Sequence, residues 1–150
     1  MISWNFSSWK SISLNDFHDM IALRIAVFVV EQNCPYPELD GKDKKADFVF
    51  GRNASGEMVA CARILPAGIS YPEVSIGRVA NAASVRGTGA GKELMRETMQ
   101  HIESLYGKVP IRISAQEYLL QFYMSFGFKP VSESYLEDDI PHVEMLYLPA

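Results

Sequence analysis

Val74-Ser75-Ile76-Gly77-Arg78-Val79-Ala80 reads as an apolar strand, and it leads into Arg86-Gly87-Thr88-Gly89-Ala90-Gly91, from which an amphipathic helix, Leu94 to Tyr106, runs out. Three glycines at alternate positions allow positive φ angles and bring backbone N–H groups close to a ligand with no Cβ atoms in the way. The first N–H groups of the following helix lack intrahelical partners, and the helix dipole adds partial positive charge there. The stretch therefore reads as a cradle for a pyrophosphate, set between a strand and a helix. The alternative for such a short glycine pattern is a turn that merely caps the helix.

Two familiar phosphate loops do not fit. A Walker A loop needs glycine five residues before its Gly-Lys pair and Ser or Thr after it, but Gly91-Lys92 has Arg86 and Glu93 at those places. A dinucleotide fingerprint needs G-x-G-x-x-G, whereas Gly87, Gly89 and Gly91 alternate.

Working outward, Ser13 is an N-cap with Asp16 at the third helical position, opening a helix expected to run to about Gln32. Its stripe is Phe17, Met20, Ile21, Arg24, Val27, Phe28 and Glu31, so two charged residues share the face of the apolar ones; the apolar run Ile25 to Val30 leaves a strand as the alternative there. Asn33 to Gly41, with two prolines, is a loop. Asp47 to Arg52 and Met58 to Leu65 form an antiparallel hairpin across Asn53-Ala54-Ser55-Gly56. In the helix after the glycines, Leu94, Met95, Thr98, Ile102 and Leu105 share one face. Ile111 to Ala115 is a strand, Leu119 to Phe126 a helix ending at Gly127, and Lys129–Tyr135 and His142–Leu148 a closing strand pair around Glu137-Asp138-Asp139. The order predicts a mixed α/β sheet with a strand-loop-helix-strand crossover at its centre.

Composition narrows the function. A chain of 150 residues with 48% hydrophobic content is expected to be one domain with one substantial core. Net charge of −4 argues against nucleic acid as partner, since backbone binding needs clustered Lys and Arg. No basic-then-apolar leader opens the chain, and no apolar stretch nears the ~20 residues that span a bilayer, so no membrane partner and a cytoplasmic location are expected. Two cysteines outside any CxxC pattern indicate neither a disulfide framework nor a metal site.

Arg86, Gly89 and Gly91 spell R-x-x-G-x-G, which resembles the acetyl-CoA loop of the GNAT superfamily of N-acetyltransferases. About 30 residues on, Gln121-Phe122-Tyr123-Met124-Ser125-Phe126-Gly127-Phe128 resembles the second signature of that family. Four further segments resemble its ElaA-like subfamily: Leu23-Arg24 with Val27 to Gln32, Cys34-Pro35-Tyr36, Ala115-Gln116, and Tyr135 to Asp138 with Ile140-Pro141-His142. The resemblance implies a mostly antiparallel mixed sheet with helices on both faces, acetyl-CoA as cosubstrate, no metal, a small-molecule or peptide amine as acceptor, and is compatible with a homodimer.

It also implies roles. The amides of Gly87, Gly89, Ala90, Gly91 and Lys92, with Arg86 and Thr88 beside them, would hold the pyrophosphate; Val79, Ala80 and Asn81 would run along the pantetheine arm and supply a backbone N–H to the developing oxyanion. Tyr123 aligns with a tyrosine that many members place near the thioester sulfur, where a phenol can protonate the leaving thiolate; otherwise it is a core aromatic. Many members carry a glutamate base on the strand before the loop, but here that region is Ile76-Gly77-Arg78. Candidate bases elsewhere are Glu31, Glu38, Asp40, Glu137 and His142, and imidazole is the side chain whose ordinary titration range spans neutrality. Glu38, Asp40 and Asp43, with Glu137 to Asp139, suggest an acidic rim that selects a cationic amine; otherwise these carboxylates are solvated surface and selectivity lies deeper, at Arg24, Gln116 or His142.

Two other readings stay open. Arg24, Val27-Phe28 and Glu38-Leu39-Asp40 echo acylhomoserine lactone synthases, and the missing strand glutamate suits an acyl-CoA sensor without turnover.

Overall fold

The computed structural model describes all 150 residues, Met1 to Ala150. The elements in chain order are β1 (Ser3–Ser8), α1 (Leu14–Arg24), β2 (Asp47–Arg52), β3 (Met58–Leu65), β4 (Val74–Asn81), α2 (Ala90–Tyr106), β5 (Ile111–Gln116), α3 (Leu120–Met124), β6 (Phe128–Pro130), β7 (Tyr135–Glu137) and β8 (Ile140–Tyr147). One sheet holds all eight strands in the order β1-β2-β3-β4-β5-β8-β6, with β7 also paired to β8. Only β4 and β5 are parallel, as a crossover through α2 requires.

Alternation builds a core on each face. Phe48, Phe50, Cys61 and Leu65 point to the face covered by α1, where Met20, Leu23 and Val27 pack on them. Val49, Ala60, Ala62 and Ile64 point to the opposite face, against Leu94, Met95 and Ile102 of α2. Phe48 and Phe50 are almost wholly buried, each stabilising the fold by about 1.5–3 kcal/mol. The β2–β3 turn is held by Asn53, whose Oδ1 accepts from the N–H groups of Ser55 and Glu57 at 3.0 and 2.9 Å.

Three local expectations need correction. The first helix is α-helical only to Arg24 and continues as a π-helix over Ile25–Glu31, rather than running evenly to Gln32. Four of the six residues Ile25 to Val30 are β-branched, a side-chain type that restricts an α-helical turn. The strand expected over Lys129–Tyr135 is two short pieces, because Pro130 has no N–H for a ladder and Ser132 Oγ takes the N–H of Glu144 instead. Leu105 is exposed, leaving Leu94, Met95, Thr98 and Ile102 as the buried stripe of α2.

The break in the sheet positions the site. β4 and β5 are in register only at Val74 with Ile111 and Ser75 with Arg112, and then separate. From Ile76 onward, β4 is paired with β3 alone. A bulge interrupts that pairing between Cys61 and Arg63, and Arg78 there has φ +51°. Bulges sharpen local twist, which turns the free edge of β4 away from β5.

Candidate active site

A cleft of about 710 Å³ opens where β4 and β5 part. That is within the usual range of about 300–1,000 Å³ for small-molecule sites. Its walls are the π-helix (Val27, Phe28, Glu31), the bulged part of β4 (Ile76 to Val79, and Asn81), β5 (Ile113, Ser114, Gln116), the α3 region (Leu119, Phe122, Tyr123) and the β7–β8 hairpin (Glu137, Asp138, Ile140, His142).

At one end lies the glycine loop. α2 starts at Ala90, closer to the glycines than the sequence pattern suggested, and Gly89 caps it in the left-handed region at φ +88°. Gly87 is at φ +80°, whereas Gly91 is helical, so two of the three glycines are needed for their conformation. A Cβ at Gly87 or Gly89 would meet no protein atom within 4 Å, so both face open space. Gly91 is packed but not required for fit: a Cβ there would make ordinary contacts, 3.5 Å from Asn81 Nδ2 and 3.7 Å from the Phe122 ring. Arg86 donates from Nη2 to Glu31 Oε1 at 2.6 Å and to the Asn81 carbonyl at 2.8 Å, while Thr88 donates its hydroxyl to the Val85 carbonyl. Asn81 Oδ1 is buried without a partner. Exposed amides, an unpaired helix start and a flanking guanidinium fit a pyrophosphate; Lys92 is exposed one residue further on. Val79 and Asn81 line the cleft, but Ala80 does not, its side chain lying in the core under α1. Any contribution of Ala80 comes from its main chain.

Tyr123 belongs to both alternatives weighed for it. Its ring is 94% buried against Phe122 and Phe128, and it also lines the cleft. Burial pushes its phenol well above the ordinary range, with no hydrogen bond contributing, so it stays protonated as a donor. Across the cleft, His142 is buried, stacked on Tyr135, with Nδ1 2.7 Å from the Ile140 carbonyl and Nε2 3.4 Å from Glu137 Oε2. The carbonyl can only accept, so Nδ1 carries a proton and Nε2 faces the carboxylate. Gln116 lines the cleft directly across the ladder from His142. Asp138 and Asp139 make the tight turn at φ +51° and +62°, and Cys34 Sγ donates to the Asp138 carbonyl at 3.4 Å.

The acidic rim expected from Glu38, Asp40 and Asp43 does not exist as such. Glu38 and Asp43 are buried, neither they nor Asp40 line the cleft, and all three are bound by arginines. Arg24, itself 1% exposed, donates from Nε to Glu38 Oε2 at 2.6 Å and from Nη1 to Asp43 Oδ1 at 2.8 Å. Arg78 Nε donates to the same Glu38 oxygen at 2.8 Å, and Arg63 Nη1 donates to Asp40 at 2.7 Å and Asp43 at 3.3 Å. Burial opposes the charge on Arg24, but its bond to Asp43 and the fields of Asp43 and Glu38 outweigh it, so its proton is held more tightly than usual. Tyr36 donates to Glu38 Oε1 at 2.9 Å and lies under the Arg78 guanidinium. Arg24 and Glu38 therefore support the cleft wall from behind. Arg63 and Arg78, which do line the cleft, were not singled out from sequence as site residues. The one signal for Arg63 was a lone charge within the apolar run Met58–Leu65.

Comparisons with known proteins agree with this geometry. Residues 22–148 match the model of the acetyltransferase (GNAT) domain. Protein ElaA of Escherichia coli is 41% identical over 147 residues, 97% of this chain and 95% of its own length, and a UPF0039 protein of Synechocystis is 39% identical over 146 residues at the same coverages. Crystal structures of an acyl-CoA N-acyltransferase from Pseudomonas aeruginosa and of E. coli ElaA superpose with TM-scores of 0.93 and 0.92 at 36% and 39% identity, each covering 98% of this chain and 99% of the other. With the parted strands, the glycine loop and both sequence signatures in one cleft, the chain belongs to the GNAT acetyltransferase family, among its ElaA-like members.

Proposed function

We propose that the protein transfers an acetyl group from acetyl-CoA to a primary amine. The observation that carries this reading is the parting of β4 from β5 beside the glycine loop: one cleft offers both an anion cradle and a free strand edge. Acetyl-CoA supplies an activated thioester carbonyl. The amides of Gly87, Gly89, Ala90, Gly91 and Lys92 hold its pyrophosphate, Arg86 and Thr88 flank it, and Val79 to Asn81 pair with the pantetheine arm as a missing strand would. A main-chain N–H on the bulged edge of β4 donates to the oxyanion that develops as the amine attacks.

Two proton movements remain. The amine must lose a proton, and Nε2 of His142 takes it, directly or through one water, at the Gln116 side of the cleft, with Glu137 beside that nitrogen stabilising the imidazolium that forms. As the C–S bond breaks, the Tyr123 hydroxyl donates to the leaving sulfur, and the proton that completes the thiol is replaced on the phenol from solvent through the cleft. Glu31 is assigned a positioning role, because it already holds Arg86 at the loop.

Tyr123→Phe tests the assignment, since it removes one oxygen from an otherwise unchanged ring. Thiol release from acetyl-CoA with a panel of amines is expected to slow by about 10²–10⁴-fold, while the rise in melting temperature given by CoA is retained. Unchanged turnover under conditions where chemistry limits the rate returns Tyr123 to a purely packing role.

A further inference from the structure

The Arg63 guanidinium is hydrogen-bonded on one side and unpaired on the other. Both of its hydrogen bonds leave from Nη1, to Asp40 and Asp43. Its Nε is buried with no partner, although the side chain is only 6% exposed and the residue lines the cleft. Nε and Nη2 form the side-on edge of a guanidinium, the edge that grips a carboxylate with two parallel hydrogen bonds. A buried donor left unpaired is costly, so such an edge inside a binding cleft points to a ligand oxygen.

A second observation falls on the neighbouring strand. Gly77 is the cross-strand partner of Arg63. It is not at positive φ, and a Cβ there would meet no atom within 4 Å, so neither conformation nor internal packing calls for glycine. Gly77 opens the β-bulge, where glycine is common, and it leaves room for something to approach the backbone closely. Charge does not oppose this: Arg24, Arg63 and Arg78 already neutralise Glu38, Asp40 and Asp43, and Lys42, whose Nζ donates to Ser70 Oγ, also lines the cleft.

We infer that the amine acceptor also carries a carboxylate, which lies over Gly77 and takes two hydrogen bonds from Nε and Nη2 of Arg63. The acceptor class is therefore an amino acid or a molecule with the same two ends, its amine directed toward His142 and its carboxylate toward Arg63. This rests on the acetyl-transfer reading for the amine end only.

Binding is measured first, without turnover. The common amino acids, β-alanine and 4-aminobutyrate are titrated calorimetrically into CoA-saturated protein, each beside its own primary amide, which keeps the size and removes the charge. At least one acid is expected to bind about tenfold or more tightly than its amide. Gly77→Val fills the space where a Cβ would meet no protein atom within 4 Å, and Arg63→Lys keeps a charge but loses the paired donors. Both are expected to bring the ratio to within about twofold while the melting shift given by CoA persists. Amides binding as well as acids throughout, no binding by any member of the panel, or a ratio unmoved by Gly77→Val overturns the inference. A tight acid that gives no thiol release from acetyl-CoA sinks the transfer reading and leaves the carboxylate site standing.

Discussion

Arg86 and Glu31, 55 residues apart in sequence, are joined by a 2.6 Å hydrogen bond that ties the glycine loop to the π-helix. The contact links the two walls between which the cosubstrate would lie. Both side chains are near half exposed, so the pair contributes about 1 kcal/mol at most. Glu31→Gln is expected to raise KM for acetyl-CoA by up to about fivefold, because Arg86 is no longer held at the loop by an ion pair, and to leave kcat within about twofold. A fall in kcat of about 100-fold or more would instead make Glu31 the base.

Gly89 tests the cradle. Gly89→Glu places a negative charge where the pyrophosphate is expected and forces a side chain into the left-handed region, which costs about 1–2 kcal/mol in itself. Gly89→Ala carries the same strain without the charge. The melting shift given by excess acetyl-CoA is expected to vanish in the glutamate variant and to survive, reduced, in the alanine variant. Identical shifts in the two variants and the parent would remove the loop from the binding site.

Arg24 neutralises two buried carboxylates, Glu38 jointly with Arg78 and Asp43 jointly with Arg63, so its removal leaves an excess negative charge in the protein interior. Arg24→Met is expected to destabilise by about 3–5 kcal/mol, roughly 10 °C in melting temperature for a domain of this size. Adding Glu38→Gln should recover part of that loss, since one stranded charge is neutralised; the double variant measured beside both singles gives the coupling directly. A strictly additive pair would show that the two residues do not act as a unit. Because these groups are buried, added salt should change little.

Acid should unfold the protein in a predictable direction. The hydrogen bond from Arg52 holds Asp19 below the usual carboxylate range, and that from Arg112 does the same for Glu73. For Asp40, burial pushes up, but the Arg63 bond and the fields of Arg63 and Arg78 outweigh it. A carboxylate with a lowered folded-state value binds fewer protons when folded, so its stabilisation is complete above the ordinary carboxylate range, about pH 4, and is lost as pH falls through the folded value. Asp47, pushed up by burial, has the opposite sign and offsets part of this. Urea midpoints from pH 7 to 3 are expected to decline below about pH 4, less steeply in Asp40→Asn. A midpoint that rises on acidification contradicts the assignment.

The sequence by itself determined what is local. The apolar run Met58–Leu65 set a strand, Ser13 with Asp16 set the start of α1, and Gly87, Gly89 and Gly91 marked the loop before α2, in which the first two are left-handed, because apolar patterning, capping and φ preferences act within a few residues. The tertiary structure alone decided which charges face the cleft. Glu38, Asp40 and Asp43 lie in a loop of ordinary acidic appearance, yet Arg24, Arg63 and Arg78 from three other elements draw them inside, since a buried ion must find its counter-ion wherever the chain brings one. The parting of β4 from β5 was equally invisible. It depends on a bulge at Arg78 and on pairing partners more than 30 residues away, and no short-range pattern records how far two strands stay in register.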